Sequence, residues 1–187
     1  MKKNRVWILL SAALLLLLVV ASVLYARLSS GEQAQQLADE TEGQQSETIP
    51  APDFSVQDKN LDTVSLSDFF GKPIVLNFWA SWCGPCKSEM PDFAEAFEKY
   101  GGEVHFLMVN LTDGSRETVD AAAQYIAQQG YEFPVYYDTA MEAAIAYGVS
   151  AVPTTYFIDQ AGNIVARGSG ALDAETLQKG ISMIFSE

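Results

Sequence analysis

The chain has 187 residues, of which 49% are hydrophobic and 19% are charged, and its formal net charge at pH 7 is −13. This length is enough for one domain with a proper core and too short for two ordinary domains. The negative charge argues against binding to nucleic acid and against a domain that lies flat on anionic lipid. An acidic surface favours basic or neutral partners, or it simply keeps the domain soluble.

The N-terminal segment, residues 1–28, has the pattern of a membrane anchor. Lys2, Lys3 and Arg5 precede an apolar run, Val6–Tyr25, that only two serines interrupt. As a helix this run is about 30 Å long, which spans the hydrocarbon core of a bilayer. The alternative is a cleaved signal peptide, whose apolar region is normally about 7 to 15 residues long. We predict one uncleaved transmembrane helix in the cell membrane, with its N-terminus in the cytoplasm and the rest of the chain outside.

Residues 29–50 are rich in Gln, Glu, Ser and Thr, and they include no basic or aromatic residue. Such a segment cannot bury enough apolar surface to offset the entropy lost on ordering. We therefore predict a flexible acidic tether with a reach of about 26 Å. Residues 51–187 are predicted to form the single folded domain.

Beyond Pro50 the apolar residues alternate between the spacing of strands and that of helices, which is typical of an α/β domain. In chain order, the predicted elements are a buried strand over Pro73–Ala80, a helix within 86–102, a buried strand over Val104–Leu111, a helix within 115–130 capped by Ser115 and closed by Gly130, a short strand in 133–138, a helix in 140–148, a hairpin of Thr155–Asp159 and Ile164–Arg167, and a helix from about Asp173 to Phe185.

Both cysteines, Cys83 and Cys86, lie in the stretch WASWCGPCKSEMP. A disulfide between them closes too small a loop to stabilise the fold much. A structural zinc site normally needs four ligands, and His105, the only histidine, lies within a predicted strand. Redox chemistry is favoured because Cys83 falls where a strand ends and a helix begins, where backbone N–H groups and the helix dipole favour a thiolate. Cys86 is expected to be less exposed and to attack a mixed disulfide formed at Cys83.

The stretches NFWASWCGPCKSEMP, APDFSVQDKNLDTVSLSDFFGKPIVLNFW and FPVYYDTAMEAAIAYGVSAVPTTYFIDQAGNIV resemble the thioredoxin superfamily. With the predicted anchor and tether, the resemblance is closer to its membrane-anchored, extracytoplasmic branch, the TlpA/ResA-like thiol-disulfide oxidoreductases. It covers essentially all of Ala51–Glu187. It implies a thioredoxin-like α/β fold, a central mixed β-sheet flanked by helices, in which Asn110–Ala140 contains the TlpA-type insertion of an extra helix and strand.

The resemblance also implies roles for individual residues. Cys83 becomes the attacking cysteine and Cys86 the resolving one. Pro153 matches the family's cis-proline, which lies against the disulfide, and the backbone of Val152 would pair with an extended substrate segment. Trp82 is expected to cover part of the cysteine pair, where a substrate can contact it.

One position departs from the cytosolic thioredoxins, which carry a buried aspartate where this chain has Asn77. ResA-like proteins instead have a glutamate three residues after the second cysteine, and Glu89 matches it. Helix residues three apart share a face, so Glu89 is expected to exchange a proton with Cys86. The alternative is a solvent-exposed helix glutamate of no consequence.

The function implied by the resemblance is reduction of disulfides in exported proteins, such as apocytochrome c. Electrons would come from a membrane carrier of the CcdA type, and no cofactor, metal or nucleic acid is implied. A monomer is the expected state. Three alternatives stay open: a disulfide donor that works in the opposite direction, a peroxidase of the peroxiredoxin type suggested by the shared APDF opening, and a copper chaperone. The residues before Cys83 argue against the peroxidase, and a hairpin without histidine argues against the chaperone.

Overall fold

The computed structural model describes residues 48–185. The predicted transmembrane helix and residues 29–47 of the predicted tether lie outside the described residues. Within residues 48–185, none of the helices combines the length and the apolar character that crossing a membrane requires.

The described residues form eight strands in one mixed sheet, with four α-helices. The elements are β1 (Ile49–Pro50), β2 (Ser55–Gln57), β3 (Thr63–Ser65), a 3-10 helix (Leu66–Phe69), β4 (Ile74–Trp79), α1 (Gly84–Tyr100), β5 (His105–Asn110), α2 (Val119–Gln129), β6 (Val135–Tyr137), α3 (Glu142–Ala146), β7 (Thr154–Ile158), β8 (Asn163–Ser169) and α4 (Ala174–Ile184). The strand order is β1-β8-β7-β4-β5-β6-β2-β3. β4 is parallel to β5 and antiparallel to β7, so the sheet is mixed, as predicted.

Strand β4 lies in the middle of the sheet, and all six of its residues are buried. Successive side chains of a strand point to opposite faces. Leu76 and Phe78 therefore join the apolar cluster that includes residues of α3 and the 3-10 helix. Val75 and Trp79 join the cluster that contains the cysteines and residues of α1, α2 and α4. The continuous apolar run in the sequence thus reflects burial on both faces.

Helix α1 begins directly after Cys83, which is its N-cap residue. Pro85 lies in the first turn, where a missing N–H leaves no hydrogen bond unmade. The buried side of the helix includes Met90 and Phe93. These apolar contacts fix the helix against the sheet, and they hold its first turn at the end of β4.

The start of α2 differs from the prediction. Thr118, and not Ser115, is the N-cap residue, and its side chain accepts a hydrogen bond of 3.1 Å from the N–H of Ala121. The N–H of Ser115 instead donates to Oδ1 of Asp113, so Ser115 belongs to a turn before the helix. The predicted end is confirmed, since Gly130 closes the helix with a left-handed φ of 72°.

Three short strands at the start of the domain, β1, β2 and β3, were not predicted. Each has two or three residues, too few to show an apolar period. β1 pairs with β8 through Ile49 and Ile164, so the last two residues of the predicted tether belong to the sheet.

Helix α4 approaches the sheet most closely at Gly180. A Cβ atom at this position would come within 2.1 Å of Cζ of Phe157 on β7. A glycine therefore lets the helix lie directly on an aromatic ring of the sheet.

Candidate active site

Cys83 and Cys86 form a disulfide at the start of α1, with their Cα atoms 5.3 Å apart. The N–H of Cys86 points at Sγ of Cys83, with 3.1 Å between the two atoms. Cys83 is 4% exposed and Cys86 is fully buried, which is the order of exposure that the sequence predicted. When the bond is reduced, the unpaired N–H groups and the dipole at the helix start favour the thiolate of Cys83 over its thiol.

The loop before β7 faces this disulfide. The peptide bond between Val152 and Pro153 is cis. Sγ of Cys83 lies 3.6 Å from the carbonyl oxygen of Val152. The N–H of Gly170 donates to the carbonyl of Pro153 at 3.0 Å, which ties the loop to the end of β8. The structure therefore brings Val152 and Pro153, two predicted substrate-binding residues, together with the cysteines.

Trp82, the third predicted substrate-binding residue, is 40% exposed. The guanidinium of Arg116 lies over its ring, with Cζ 3.5 Å from the ring centroid. Trp79, by contrast, is fully buried, as expected for a core residue. A large aromatic ring next to Cys83 in the chain is therefore partly open to solvent and has a cation over it.

Glu89 is buried, with 1% of its surface exposed, which excludes the alternative of a solvent-exposed helix glutamate. Its Oε1 accepts a hydrogen bond of 2.9 Å from Nδ2 of Asn77, and its Oε2 accepts one of 2.8 Å from the N–H of Leu172. Burial raises the pKa of Glu89 to about 7, and the two hydrogen bonds offset only part of that effect. A carboxyl group with such a pKa can hold or release a proton near neutral pH.

Asn77 holds Glu89 in place from the central strand. Its Nδ2 donates both to Glu89 and to Oγ1 of Thr155 on β7, at 3.0 Å. Its Oδ1 is buried and finds no hydrogen-bond partner among the described residues. Because an amide does not titrate, Asn77 takes no proton itself, but its hydrogen bond orients the carboxyl group that can.

Glu117, which the sequence analysis did not single out, is fully buried beside the segment between β4 and α1. Its carboxyl group accepts hydrogen bonds from the N–H and the hydroxyl of Ser81, at 2.9 and 2.8 Å. Ser81 is 36 residues away along the chain. No local pattern signals this contact, because a glutamate just before a helix cap ordinarily faces solvent.

His105 lies on β5 and is half-buried, with its ring 5.4 Å from the ring of Phe69. Its pKa is lowered by burial and by the charge of Lys72. Among residues 48–185, no group of three or more His, Cys, Asp or Glu side chains is placed to hold a metal ion.

The cysteine pair lies at the start of a helix that follows a central strand, and a loop with a cis-proline faces it. This arrangement is typical of the thioredoxin-like thiol-disulfide oxidoreductases, and the mixed sheet with its flanking helices is their fold. The AhpC/TSA family model matches residues 48–167. The chain belongs to this family.

Named relatives agree with this class. Thiol-disulfide oxidoreductase ResA of Bacillus cereus (strain ATCC 10987 / NRS 248) is 33% identical over 187 residues, covering 98% of this chain and 99% of the relative. The protein of the same name from Bacillus subtilis (strain 168) is 30% identical over 184 residues, covering 98% and 95%. The crystal structure of a thiol:disulfide interchange protein DsbE from Chlorobium tepidum is similar with a TM-score of 0.64 and 33% identity, covering 72% of this chain and 94% of that one. The predicted resemblance to ResA-like enzymes is confirmed.

Proposed function

We propose that this protein is anchored in the cell membrane by residues 1–28 and reduces disulfides of exported proteins, such as apocytochrome c, on the outer side. The observation that carries the proposal is the disulfide at the start of α1, with Sγ of Cys83 3.6 Å from the carbonyl of Val152. An extended substrate segment could pair with this backbone and bring its own disulfide to Cys83.

The reaction begins with both cysteines reduced. The thiolate of Cys83 attacks one sulfur of the substrate disulfide, which breaks the substrate S–S bond, forms a mixed disulfide and releases one substrate thiolate. Cys86 then attacks Sγ of Cys83, which releases the second substrate thiolate and forms the Cys83–Cys86 disulfide. Two electrons pass to the substrate, and its two sulfurs take up two protons, one released by Cys86 and one from solvent.

Glu89 is the proposed proton acceptor for the second step. Cys86 must lose its proton before it attacks, and the buried, oriented carboxyl group of Glu89 is three residues further along the same helix. With its pKa raised to about 7 by burial, Glu89 binds the proton readily without holding it too tightly.

The direction of electron flow is proposed to be reductive. Gly84 and Pro85 between the cysteines match the dipeptide of the strongly reducing thioredoxins, to which the chain is similar. The oxidised enzyme must then be reduced again, and a membrane electron carrier of the CcdA type would supply the electrons.

The deciding measurement is the reduction potential of the Cys83/Cys86 pair in graded thiol buffers. A value near ~−270 mV or lower supports a reductant. A value near ~−120 mV contradicts the proposed direction and indicates a disulfide donor instead.

The substrate is tested by trapping. With Cys86→Ser, the mixed disulfide at Cys83 cannot be resolved, so the reduced variant should accumulate a covalent complex with disulfide-bonded apocytochrome c. Cys83→Ser is the matched control and should trap nothing. Equal trapping by the two variants contradicts the assigned roles.

The anchor is tested separately. The full chain should stay with the membrane fraction after an alkaline wash, and a chain without residues 1–28 should be released. Release of both would contradict the proposed anchoring without affecting the proposed chemistry.

A further inference from the structure

The carboxyl group of Glu117 is fully buried, although burying such a group is costly unless it is well hydrogen-bonded. Both of its oxygens are satisfied. Oε1 accepts from the N–H of Ser81 at 2.9 Å and from Nδ2 of Asn110 at 2.8 Å, and Oε2 accepts from the hydroxyl of Ser81 at 2.8 Å. Two of the three bonds therefore come from a single residue of the segment that leads to the cysteines.

Ser81 is one of the two central residues of the turn that ends at Cys83. The N–H of Cys83 donates to the carbonyl of Ala80 at 3.1 Å, which closes a tight turn with Ser81 and Trp82 at its centre. This turn joins the end of β4 to the start of α1. Any rotation of the Ser81 backbone would change where Sγ of Cys83 points.

Glu117 itself is held firmly. Oδ1 of Asp113 accepts hydrogen bonds from the N–H groups of Ser115, Arg116 and Glu117, at 2.8, 2.8 and 3.0 Å. The N–H of Gly114 donates to the carbonyl of Glu117 at 2.9 Å. These hydrogen bonds fix the loop before α2, and the loop places the carboxyl group of Glu117 against the turn.

The same loop contacts the next residue of the turn from outside. The exposed Arg116 lies over the ring of Trp82, while the buried Glu117 accepts a hydrogen bond from Ser81. Two consecutive residues of the loop therefore hold the two residues that immediately precede Cys83.

We propose that Glu117 is a positioning residue, which fixes the Ala80–Cys83 turn through Ser81 and so sets the direction and reactivity of the Cys83 sulfur. This inference rests on thiol-disulfide exchange at Cys83, the chemistry of the proposed function. Glu117 touches neither sulfur nor substrate in this role.

The test is Glu117→Met, which keeps about the length of the side chain but removes both acceptor oxygens, so the N–H and hydroxyl of Ser81 lose their partner. The reduced variant is mixed with an aromatic disulfide of low molecular mass, and the rate constant of Cys83 is followed against pH. We expect a rate constant about ten- to hundredfold lower near neutral pH, because small misplacements of a reacting atom have effects of this size. The pH profile should also change, because the helix start favours the thiolate of Cys83 only while Cys83 stays in place.

The matched control is Asp138→Asn. Asp138 is also fully buried, but its carboxyl group accepts from the N–H groups of Ala143 and Ala144 at the start of α3. This variant should lose stability in urea, whereas its Cys83 rate constant and pH profile should match those of the wild type. Equal rate constants and profiles in wild type, Glu117→Met and Asp138→Asn would overturn the proposal.

Ser81→Ala provides a milder second variant if Glu117→Met does not fold. It removes only the hydroxyl bond, and it should lower the rate constant in the same direction by a smaller factor. An unchanged rate constant and pH profile in Ser81→Ala would also count against the positioning role. Because the probe is a small disulfide, failure of the wild type to reduce apocytochrome c would contradict the proposed substrate and leave this reading of Glu117 intact.

Discussion

The two faces of the central sheet differ, although they share the same strands. On the face covered by α3, β4 contributes Leu76 and Phe78, which are fully buried among other apolar side chains. On the face covered by α1 and α4, β4 places Asn77 before Trp79, and Asn77 bonds to Glu89. A buried amide and a buried carboxyl group contribute less to stability than aliphatic packing does. The first face is therefore mainly a source of stability, while the second gives up some stability for chemistry.

The largest expected effect lies on the apolar face. Leu76→Ala removes a fully buried side chain and leaves a cavity, so it should lower the free energy of unfolding by about 2 to 5 kcal/mol. The rate of disulfide exchange per folded molecule should not change. Urea unfolding of the oxidised protein measures the first quantity, and exchange with a small disulfide measures the second.

Leu61→Ala is the control for this prediction, because Leu61 is 52% exposed. Its stability should stay within about 0.5 kcal/mol of the wild type. A large loss of exchange rate in Leu76→Ala would show that the two faces are not separable in the way described.

The second effect is a pH dependence that comes from the redox face. Burial raises the pKa of Glu89 from 4.5 to about 7, so the folded protein holds this proton more tightly than the unfolded chain does. The resulting stabilisation is complete below about pH 4.5 and is lost as the pH rises through about 7. The wild type should therefore lose about 3 kcal/mol more than Glu89→Gln over this window.

Unfolding of the oxidised proteins at a series of pH values tests this, since disulfide-bonded cysteines do not titrate. Glu95→Gln is the control, because Glu95 is exposed on the same helix, and its stability should follow the pH as the wild type does. Parallel curves for wild type and Glu89→Gln would mean that Glu89 is ionised at little cost in the folded state.

The third prediction concerns packing on the redox face away from the cysteines. Gly180→Ala places a Cβ atom 2.1 Å from the ring of Phe157, so α4 or the ring must move. We expect a loss of about 1 to 3 kcal/mol in unfolding free energy with an unchanged exchange rate. Gly102→Ala is the control, since a Cβ atom there meets no atom within 4 Å. If both variants were equally stable, the close approach of α4 would be easily relieved.

The smallest effect is expected at the surface beside Cys83. Arg116→Ala removes the cation over Trp82 and should cost only about 0.5 to 1 kcal/mol, because both groups reach solvent. The fluorescence of Trp82 should change, since one face of its ring becomes free. Arg167→Ala, which removes a cation 5.5 Å from the Tyr156 ring, serves as the control. An identical tryptophan spectrum in Arg116→Ala would indicate that the stacked arrangement is not populated in solution.

The sequence predicted the parts of this molecule that depend on residues close together in the chain. The buried strand β4 and the start of α1 follow from an apolar run and from Cys83, Gly84 and Pro85. The contact between Glu117 and Ser81 could not be predicted, because it joins residues 36 positions apart through the conformation of a loop. The sequence identified Glu89 only through a family resemblance. Its burial depends on the packing of α1 against β4 and on the N–H of Leu172, 83 residues away.

Both cysteines of the chain are bonded to each other, and no free cysteine remains. The oxidised protein therefore has no thiol, so two oxidised copies cannot become cross-linked through sulfur. An alkylating reagent should add to the oxidised chain at neither cysteine and to the reduced chain at both. A chain that carries a single adduct must have its other sulfur bonded elsewhere, and its mass identifies it. The number of adducts, which can be counted by mass in a crude extract, therefore distinguishes the oxidised chain, the reduced chain and the mixed disulfide with a substrate.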